Sequence, residues 1–241
     1  MDLKEIEISF DETYHIAQGN PLYSRKFDKV MSFHPPGFAA VKDHSGSYHI
    51  DFQGNPVYPS RFLKTFGYYE ELAAVSDSQG WFHIDPTGTE IYSERYRWTG
   101  NFQEGRCVVR NAGGEYFHID RSGSPVYAER YRYVGDFKYS IAVVYTGNSR
   151  SSHIDKNGNQ IHGKWYRECG IYHKGLATAC DERGYLHIDK KGNPAYEERY
   201  AWVEPFYNGC ALCRTNDGEL VIRSEDGEVS FLFCKTKGET V

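Results

Sequence analysis

The sequence predicts an all-β protein made of seven tandem repeats, and three observations support this. The triplet His-Ile-Asp occurs five times, degenerate forms extend the series at both ends, and the spacing is always 34 or 35 residues. The composition is rich in aromatic residues (16%) and contains only two Met. Short β-prone runs alternate with Asp-x-x-Gly turns. A fixed period in this range is typical of propellers, solenoids and stacked arrays.

One copy contains four predicted strands. Leu72-Ala73-Ala74-Val75 leads through an Asp-x-x-Gly turn at 77–80 into Trp81-Phe82-His83-Ile84-Asp85, which predicts a β-hairpin. A second Asp-x-x-Gly turn at 85–88 leads to Ile91-Tyr92, and a fourth run follows from Glu94 to Phe102. The other copies keep these positions.

The chain is predicted to be a single repeat domain over residues 1–241, in which 234–241 form a tail. The copies start near His15, His49, His83, His118, His153, His187 and Val221.

The two ends of the array favour a closed, propeller-like ring. A Gly-x-Ala-x-Val strand occurs six times and the His-Ile-Asp strand seven times. The first copy lacks its leading strand unless residues 5–8 supply it, and the last copy stops after 229–233. A ring closed by a sheet containing both 5–10 and 220–233 explains these complementary deficits, because closure removes free sheet edges. An open β-solenoid with two capping half-repeats is the alternative.

Charge and cysteine usage limit the partners and the compartment. The net charge of -5 disfavours binding to nucleic acid or to an acidic membrane surface. No secretory signal and no run of 18 apolar residues is evident. We therefore expect a cytoplasmic protein whose six cysteines are free thiols. Cys210 and Cys213 form a Cys-x-x-Cys pattern, but on a strand residues three apart face opposite sides, so no metal site is predicted.

The pattern Gly-x-Ala-x-Val, Asp-x-x-Gly, aromatic-x-Ile-Asp resembles the bacterial WG-repeat (KWG) family over about residues 5–233. The family's Trp-Gly-Tyr-Ile-Asp is similar to Trp81-Phe82-His83-Ile84-Asp85, in which Phe82 and His83 replace Gly and Tyr. The resemblance implies a recognition or scaffolding module, since the family is defined by its repeats and not by an activity. It implies no catalytic residue.

The repeated His and Asp residues are interpreted as structural. His and Asp two apart share one face of a strand, so stacked copies would make a row of His–Asp pairs. Such a row could bind an anion or a metal, but a functional site is normally unique and these positions recur, so hydrogen bonding between copies is favoured. Replacing one Asp by Ala should then cost stability. The structural set is His49, His83, His118, His153, His187, Asp51, Asp85, Asp120, Asp155 and Asp189.

A recurrent basic position and several aromatic positions are the binding candidates. Arg can hold a carboxylate bidentately, or it can lock one copy to the next through the repeated Asp, and the lock is favoured. Copy five diverges from the repeat at His162, Lys164, His173 and Lys174. This divergence indicates either a functional site or neutral sequence drift. Substitution of His162 and His173 by Ala should leave the fold intact. The candidates are Trp98, Tyr133, Trp202, Arg95, Arg130, Arg199, His162 and His173.

These residues predict a non-enzymatic module that presents a rigid face of aromatic and Arg side chains to a protein or peptide partner. A small-ligand or carbohydrate binder with several equivalent pockets between copies is the alternative. No cofactor or catalytic constellation is predicted, because the unusual residues are spread over repeated positions.

Overall fold

A computed structural model describes residues 2–233, with side chains described up to Ser230. Within this range the chain forms a 3-10 turn at Leu3–Glu5 and seven antiparallel sheets. The sheets are β1 Ile6–Ile8, β2 His15–Ala17, β3 Asn20–Pro21; β4 Lys29–His34, β5 Phe38–Asp43, β6 Gly46–Ile50; β7 Lys64–Tyr69, β8 Leu72–Ser76, β9 Trp81–Ile84; β10 Trp98–Thr99, β11 Cys107–Arg110, β12 Tyr116–Ile119; β13 Tyr133–Val134, β14 Ile141–Tyr145, β15 Ser151–Asp155; β16 Glu168–Cys169, β17 Ala177–Asp181, β18 Gly184–Ile188; and β19 Trp202–Val203, β20 Cys210–Arg214, β21 Leu220–Ser224, β22 Val229–Phe233.

Each sheet is built around one hairpin of the repeat. The second and third strands pair antiparallel, as β11 and β12 do with Val108 opposite His118 and Cys107 opposite Ile119. A short first strand, such as β10, pairs with the other edge of the second strand. The all-β fold and the seven-fold repetition are therefore confirmed in the described residues.

The strand that carries the repeated histidine is deeply buried in the middle copies. In β9, Phe82, His83 and Ile84 are all buried, with His83 and Ile84 fully enclosed. Side chains from both faces of this strand are therefore surrounded by neighbouring copies, as repeat arrays require.

Consecutive copies are joined by contacts between the second turn and an aromatic ring. Gly123 lies in this turn with φ +80°, and a Cβ there would fall 2.5 Å from Cγ of Tyr92 in the preceding copy. Gly88 has the same relation to Tyr58, also at 2.5 Å. The Asp-x-x-Gly turn thus needs glycine both for its left-handed backbone and for the close approach of the ring.

The predicted third run is a strand in the first and last copies, as β3 and β22, but in the inner copies it is not. Around Ile91-Tyr92 the chain makes only an isolated bridge between Ile84 and Glu90. The ring of Tyr92 is buried and its hydroxyl reaches His83, so the segment serves side-chain contacts instead of a strand ladder.

The predicted sheet shared by residues 5–10 and 220–233 is also wrong. β1 pairs with β2, where it takes the place of the missing leading strand, and β22 pairs with β21. Ring closure itself stays a prediction.

The chain divides into two compact units, the first ending at Arg130 and the second beginning at Tyr131. The predicted 234–241 tail, with Cys234, lies outside the described residues.

Candidate functional site: clefts between adjacent sheets

The repeated histidines are fully buried, and five of them connect two copies. In the inner copies the Nε2 atom contacts a backbone carbonyl in or just after the first strand of the following sheet, at 3.1 Å from His83 to Gly100 and 2.8 Å from His187 to Glu204. The Nδ1 atom contacts a tyrosine hydroxyl of the same copy. The pairs are His15–Tyr23, His49–Tyr58, His83–Tyr92, His118–Tyr127 and His187–Tyr196.

The carbonyl partner fixes the tautomer of these rings. A carbonyl oxygen only accepts, so Nε2–H donates to it and Nδ1 accepts from the tyrosine hydroxyl. Burial lowers the pKa of His49, His83, His153 and His187 to about 4. The row is therefore neutral at pH 7 and occupied internally, and the histidines pair with tyrosines instead of the repeated aspartates.

Each repeated aspartate holds its own turn. Asp85 Oδ1 accepts the backbone N–H groups of Thr87 at 2.8 Å and Thr89 at 3.0 Å. Desolvation by itself would raise the pKa of Asp85, but the Thr87 hydroxyl and these N–H groups hold it below its ordinary value. The same bonds to positions two and four residues ahead occur at Asp51, Asp120, Asp155 and Asp189.

Each of the three candidate arginines contacts the hairpin or turn that immediately precedes it in the chain. The Arg95 guanidinium lies 3.5 Å from the centroid of the Phe82 ring and pairs with Asp77 at 2.9 Å. Arg199 pairs with Asp181 at 2.8 Å. Arg130 donates to three consecutive carbonyls, of residues 127–129, and lies over Phe117. The expected contact of these arginines with the repeated Asp is therefore replaced by contacts with the preceding hairpin.

Copy five rebuilds the buried row with different side chains. His153 Nε2–H donates to the Gly170 carbonyl at 2.8 Å, so Nδ1 accepts from His162, 3.1 Å away, in the place of the usual tyrosine. The Lys164 ammonium donates to the carbonyl of Gly192 in the next copy at 2.7 Å. Ala at His162 would therefore leave a buried nitrogen without its donor, which changes the expectation that this substitution is harmless.

His173 lies elsewhere, in the loop before β17. Its ring stacks on Tyr207 with centroids 6.4 Å apart. The structure does not bring His162 and His173 into one cluster of direct contacts, because His162 belongs to the buried row.

The aromatic candidates occupy one equivalent position. Trp98, Tyr133 and Trp202 are the first residues of β10, β13 and β19. They are 37%, 48% and 39% exposed. Tyr and Trp are enriched among the residues that dominate protein–protein interfaces, so these rings remain candidates for contact with a partner.

One of these rings lines a cleft in the second unit, between the β13–β15 and β16–β18 sheets. We call it the arginine cleft; its volume is about 470 Å³. Tyr133 and Tyr145 form an edge-to-face pair in its wall, with centroids 5.9 Å apart. The lining residues are Arg132, Tyr133, Tyr145, Thr146, Ser149, Arg167 and Glu168.

The first unit has a basic cleft of its own, between the β4–β6 and β7–β9 sheets. Its volume is about 270 Å³, and Lys29, Lys42 and Lys64 line it together with the exposed Leu63. Lys29 pairs with Glu12 at 3.2 Å. Lys42 and Lys64 make no ion pair within residues 2–233.

Two sets of residues escaped the sequence analysis. The tyrosines of the buried row follow their histidines by nine residues in four copies, a recurring spacing that could have identified them. Arg97, Arg132 and Arg167 recur every 35 residues just before the first strand and could have been found in the same way.

In 2–233 no group of three or more His, Cys, Asp or Glu side chains is placed to hold a metal ion. No helix in that range is long and apolar enough to cross a membrane.

The WG-containing repeat model matches residues 188–218, which confirms the predicted resemblance to that family over these residues. No curated protein matches the chain. Among solved structures, the computationally designed Ika8 protein is 11% identical and has a TM-score of 0.50, over 95% of this chain and 82% of its own. BamB from Moraxella catarrhalis is 13% identical over 99% and 87% of the chains, with a TM-score of 0.49. The WD40 β-propeller domain of Doa1 is 11% identical over 96% and 89%, with a TM-score of 0.38.

Proposed function

We propose that this WG-repeat-containing chain is a non-enzymatic interaction module that binds a protein or peptide partner. The exposed aromatic residues that begin β10, β13 and β19 carry the proposal. Tyr and Trp are favoured at interface hot spots because they bury a large area with little loss of side-chain entropy. The buried His, Tyr and Arg contacts hold the hairpins, so the aromatic rings project from a preorganised scaffold.

The differences between the clefts favour a macromolecular partner over the lectin-like alternative. A carbohydrate-binding array is expected to repeat one pocket in each regular copy. Here one cleft is lined by three lysines and apolar residues, and another by two arginines and two tyrosines. A partner that covers several copies can use such different surfaces together.

The absence of an enzyme activity and the cytoplasmic location are parts of the same proposal. The most perturbed histidines belong to a repeated hydrogen-bonded row, which explains their pKa values without catalysis. The cytoplasmic assignment is supported by cysteine usage: the five cysteines of the described range are free thiols.

The test compares partner capture by wild-type protein with capture by the triple variant Trp98→Ala, Tyr133→Ala, Trp202→Ala. The control is Tyr139→Ala, Tyr207→Ala, which removes two exposed rings outside the three equivalent strand positions. We expect the wild type and the control to retain one partner protein and the triple variant to lose it. The partner should bind the wild type in a one-to-one ratio. Equal capture by all three proteins, or several equivalent glycan sites by calorimetry, would contradict the proposal.

A further inference from the structure

We propose that the arginine cleft binds an acidic side chain in an extended peptide segment of the partner protein. The inference rests on the proposed interaction function and adds the chemistry of the bound segment.

Two arginines supply the charge for this recognition. Arg132 and Arg167 line the same cleft, and both are exposed. Within residues 2–233, neither guanidinium makes an ion pair or a hydrogen bond. This distinguishes them from Arg95, Arg130 and Arg199, whose guanidinium groups are engaged with carboxylates or carbonyls of the hairpin or turn that precedes them.

The backbone holds both arginines in fixed places. The Arg132 N–H donates to the Tyr145 carbonyl at 2.9 Å, and the Arg167 N–H donates to the Cys180 carbonyl at 2.8 Å. The two Cα positions are thus set by adjacent sheets, and only the side chains need to order on binding. A guanidinium presents its donors in a planar fork that matches a carboxylate.

Glu168 reduces this positive charge without removing it. Its carboxylate accepts the Tyr185 hydroxyl at 2.7 Å, which fixes it in the cleft wall. With two arginines and one glutamate the lining keeps one net positive charge, although the whole chain carries -5. The local charge therefore favours an acidic ligand against the overall charge of the protein.

The tyrosine pair indicates a peptide as the carrier of the acid. The Tyr145 hydroxyl donates to the Cys169 carbonyl at 2.8 Å, so its ring is held in place beside the exposed ring of Tyr133. The residue next to the acid can pack against Tyr133. A cleft of about 470 Å³ has room for a few side chains of such a segment.

The first experiment selects displayed random peptides on the full chain and on the variant Arg132→Glu, Arg167→Glu. We expect Asp and Glu to be enriched among peptides selected on the wild type, and the enrichment to disappear on the variant. Enriched peptides without acidic residues that bind both proteins equally would overturn the cleft proposal and leave the interaction function standing. The absence of any enriched peptide would count against both.

The second experiment measures affinity by fluorescence anisotropy with a synthetic peptide of the selected consensus. Arg132→Glu and Arg167→Glu should each weaken binding about tenfold or more, and replacing the peptide's Asp and Glu by Asn and Gln should do the same. Arg183→Glu, at an exposed residue outside the cleft, makes the same charge change and should stay within about twofold.

The variant Glu168→Gln tests the contribution of charge to binding, because it removes the negative charge of Glu168 and keeps a side chain of similar size. The amide oxygen can still accept from Tyr185, but the negative charge is lost, so the acidic peptide should bind more tightly. Unchanged or weaker binding to this variant would overturn the charge argument, provided its thermal midpoint matches the wild type. An oligonucleotide that binds the cleft in an Arg132- and Arg167-dependent way while acidic peptides do not would also overturn the proposal.

Discussion

A histidine in this protein acts as a connector between copies. His83 accepts a hydrogen bond from Tyr92 at 2.5 Å and donates one to Gly100 at 3.1 Å, with no exposed surface. Both ring nitrogens are thereby satisfied inside the protein, which makes burial of a polar ring tolerable. The tyrosine is the better residue to test, because substitution by Phe removes its hydroxyl and leaves the ring in the core.

Tyr92→Phe should lower the free energy of unfolding by about 1–3 kcal/mol, because the buried Nδ1 of His83 loses its donor. The measurement is denaturant unfolding at pH 7.5. The control is Tyr207→Phe at a ring that is 72% exposed, which should change stability little. Equal midpoints for the two variants would contradict the hydrogen-bonded row.

The sequence predicted that the repeated histidines and aspartates are structural, and it did not predict their partners. Asp85 was assigned to a turn because its contacts are local, within four residues. The partner of His83 lies nine residues away across that turn, and the carbonyl of Gly100 lies 17 away. Such contacts depend on how the copies stack, which no local pattern records.

At the scale of elements, the second turn works as the joint between copies. Its glycine has a positive φ, and the tyrosine ring of the preceding copy covers it. The hydroxyl of the same tyrosine donates to the buried histidine, so one residue contributes both to the contact at the turn and to the hydrogen-bonded row.

Gly123→Ala tests this joint, because the new methyl would fall 2.5 Å from the Tyr92 ring. Gly105→Ala is the matched control, since its φ of +75° is similar and nothing lies within 4 Å of its Cβ. The control should lose about 1 kcal/mol from the left-handed backbone alone, and Gly123→Ala should lose more. If the two variants unfold at the same denaturant concentration, ring packing on the turn contributes nothing.

Copy five shows how the joint tolerates substitution. His162 stands where a tyrosine stands in other copies, and it keeps a polar contact to His153 at 3.1 Å. His162→Ala should therefore destabilise by about 1–3 kcal/mol, whereas His162→Tyr should retain stability by restoring the usual donor. Thermal melts of both variants check this. His173→Ala, at a residue of the loop outside the row, is the control. A harmless His162→Ala would show that copy five does not use the row.

The hairpins were predicted because their signals are local: alternating β-prone runs around turn residues. The Ile91-Tyr92 run carried the same signal, yet the structure uses it for side-chain contacts. The arginine cleft was missed for a different reason. Tyr133 was identified because it is an aromatic residue at a recurring position. Arg132 and Arg167 could be recognised as parts of one site only after the fold placed them in the same cleft.

At the scale of the whole molecule, the protein combines a neutral buried row with basic clefts on an acidic chain. The row recurs in successive copies and stabilises the array. The clefts differ in their lining residues, and they are the surfaces that we propose for recognition. Substitutions in the row should therefore act on stability, and substitutions in the clefts on binding.

The buried neutral histidines predict that the folded protein loses stability in mild acid. His49, His83, His153 and His187 have a pKa of about 4 in the folded protein, against an ordinary value of 6.5. Below pH 6.5 the unfolded chain binds protons that the folded protein does not, so stability is fully present above pH 6.5 and falls as the pH approaches 4. Each histidine contributes a slope of at most about 1.4 kcal/mol per pH unit.

Denaturant midpoints measured from pH 7.5 to pH 4.5 check this prediction. The lowered pKa of turn aspartates such as Asp85 and Asp120 affects stability mainly below about pH 5, so the loss between pH 7 and pH 5 reports on histidine. The variant His44→Gln, at an exposed histidine outside the row, should show the same pH profile as the wild type. A midpoint that does not change between pH 7 and pH 5 would mean that the buried rings accept protons without cost, and the internal hydrogen-bonded row would then have to be abandoned.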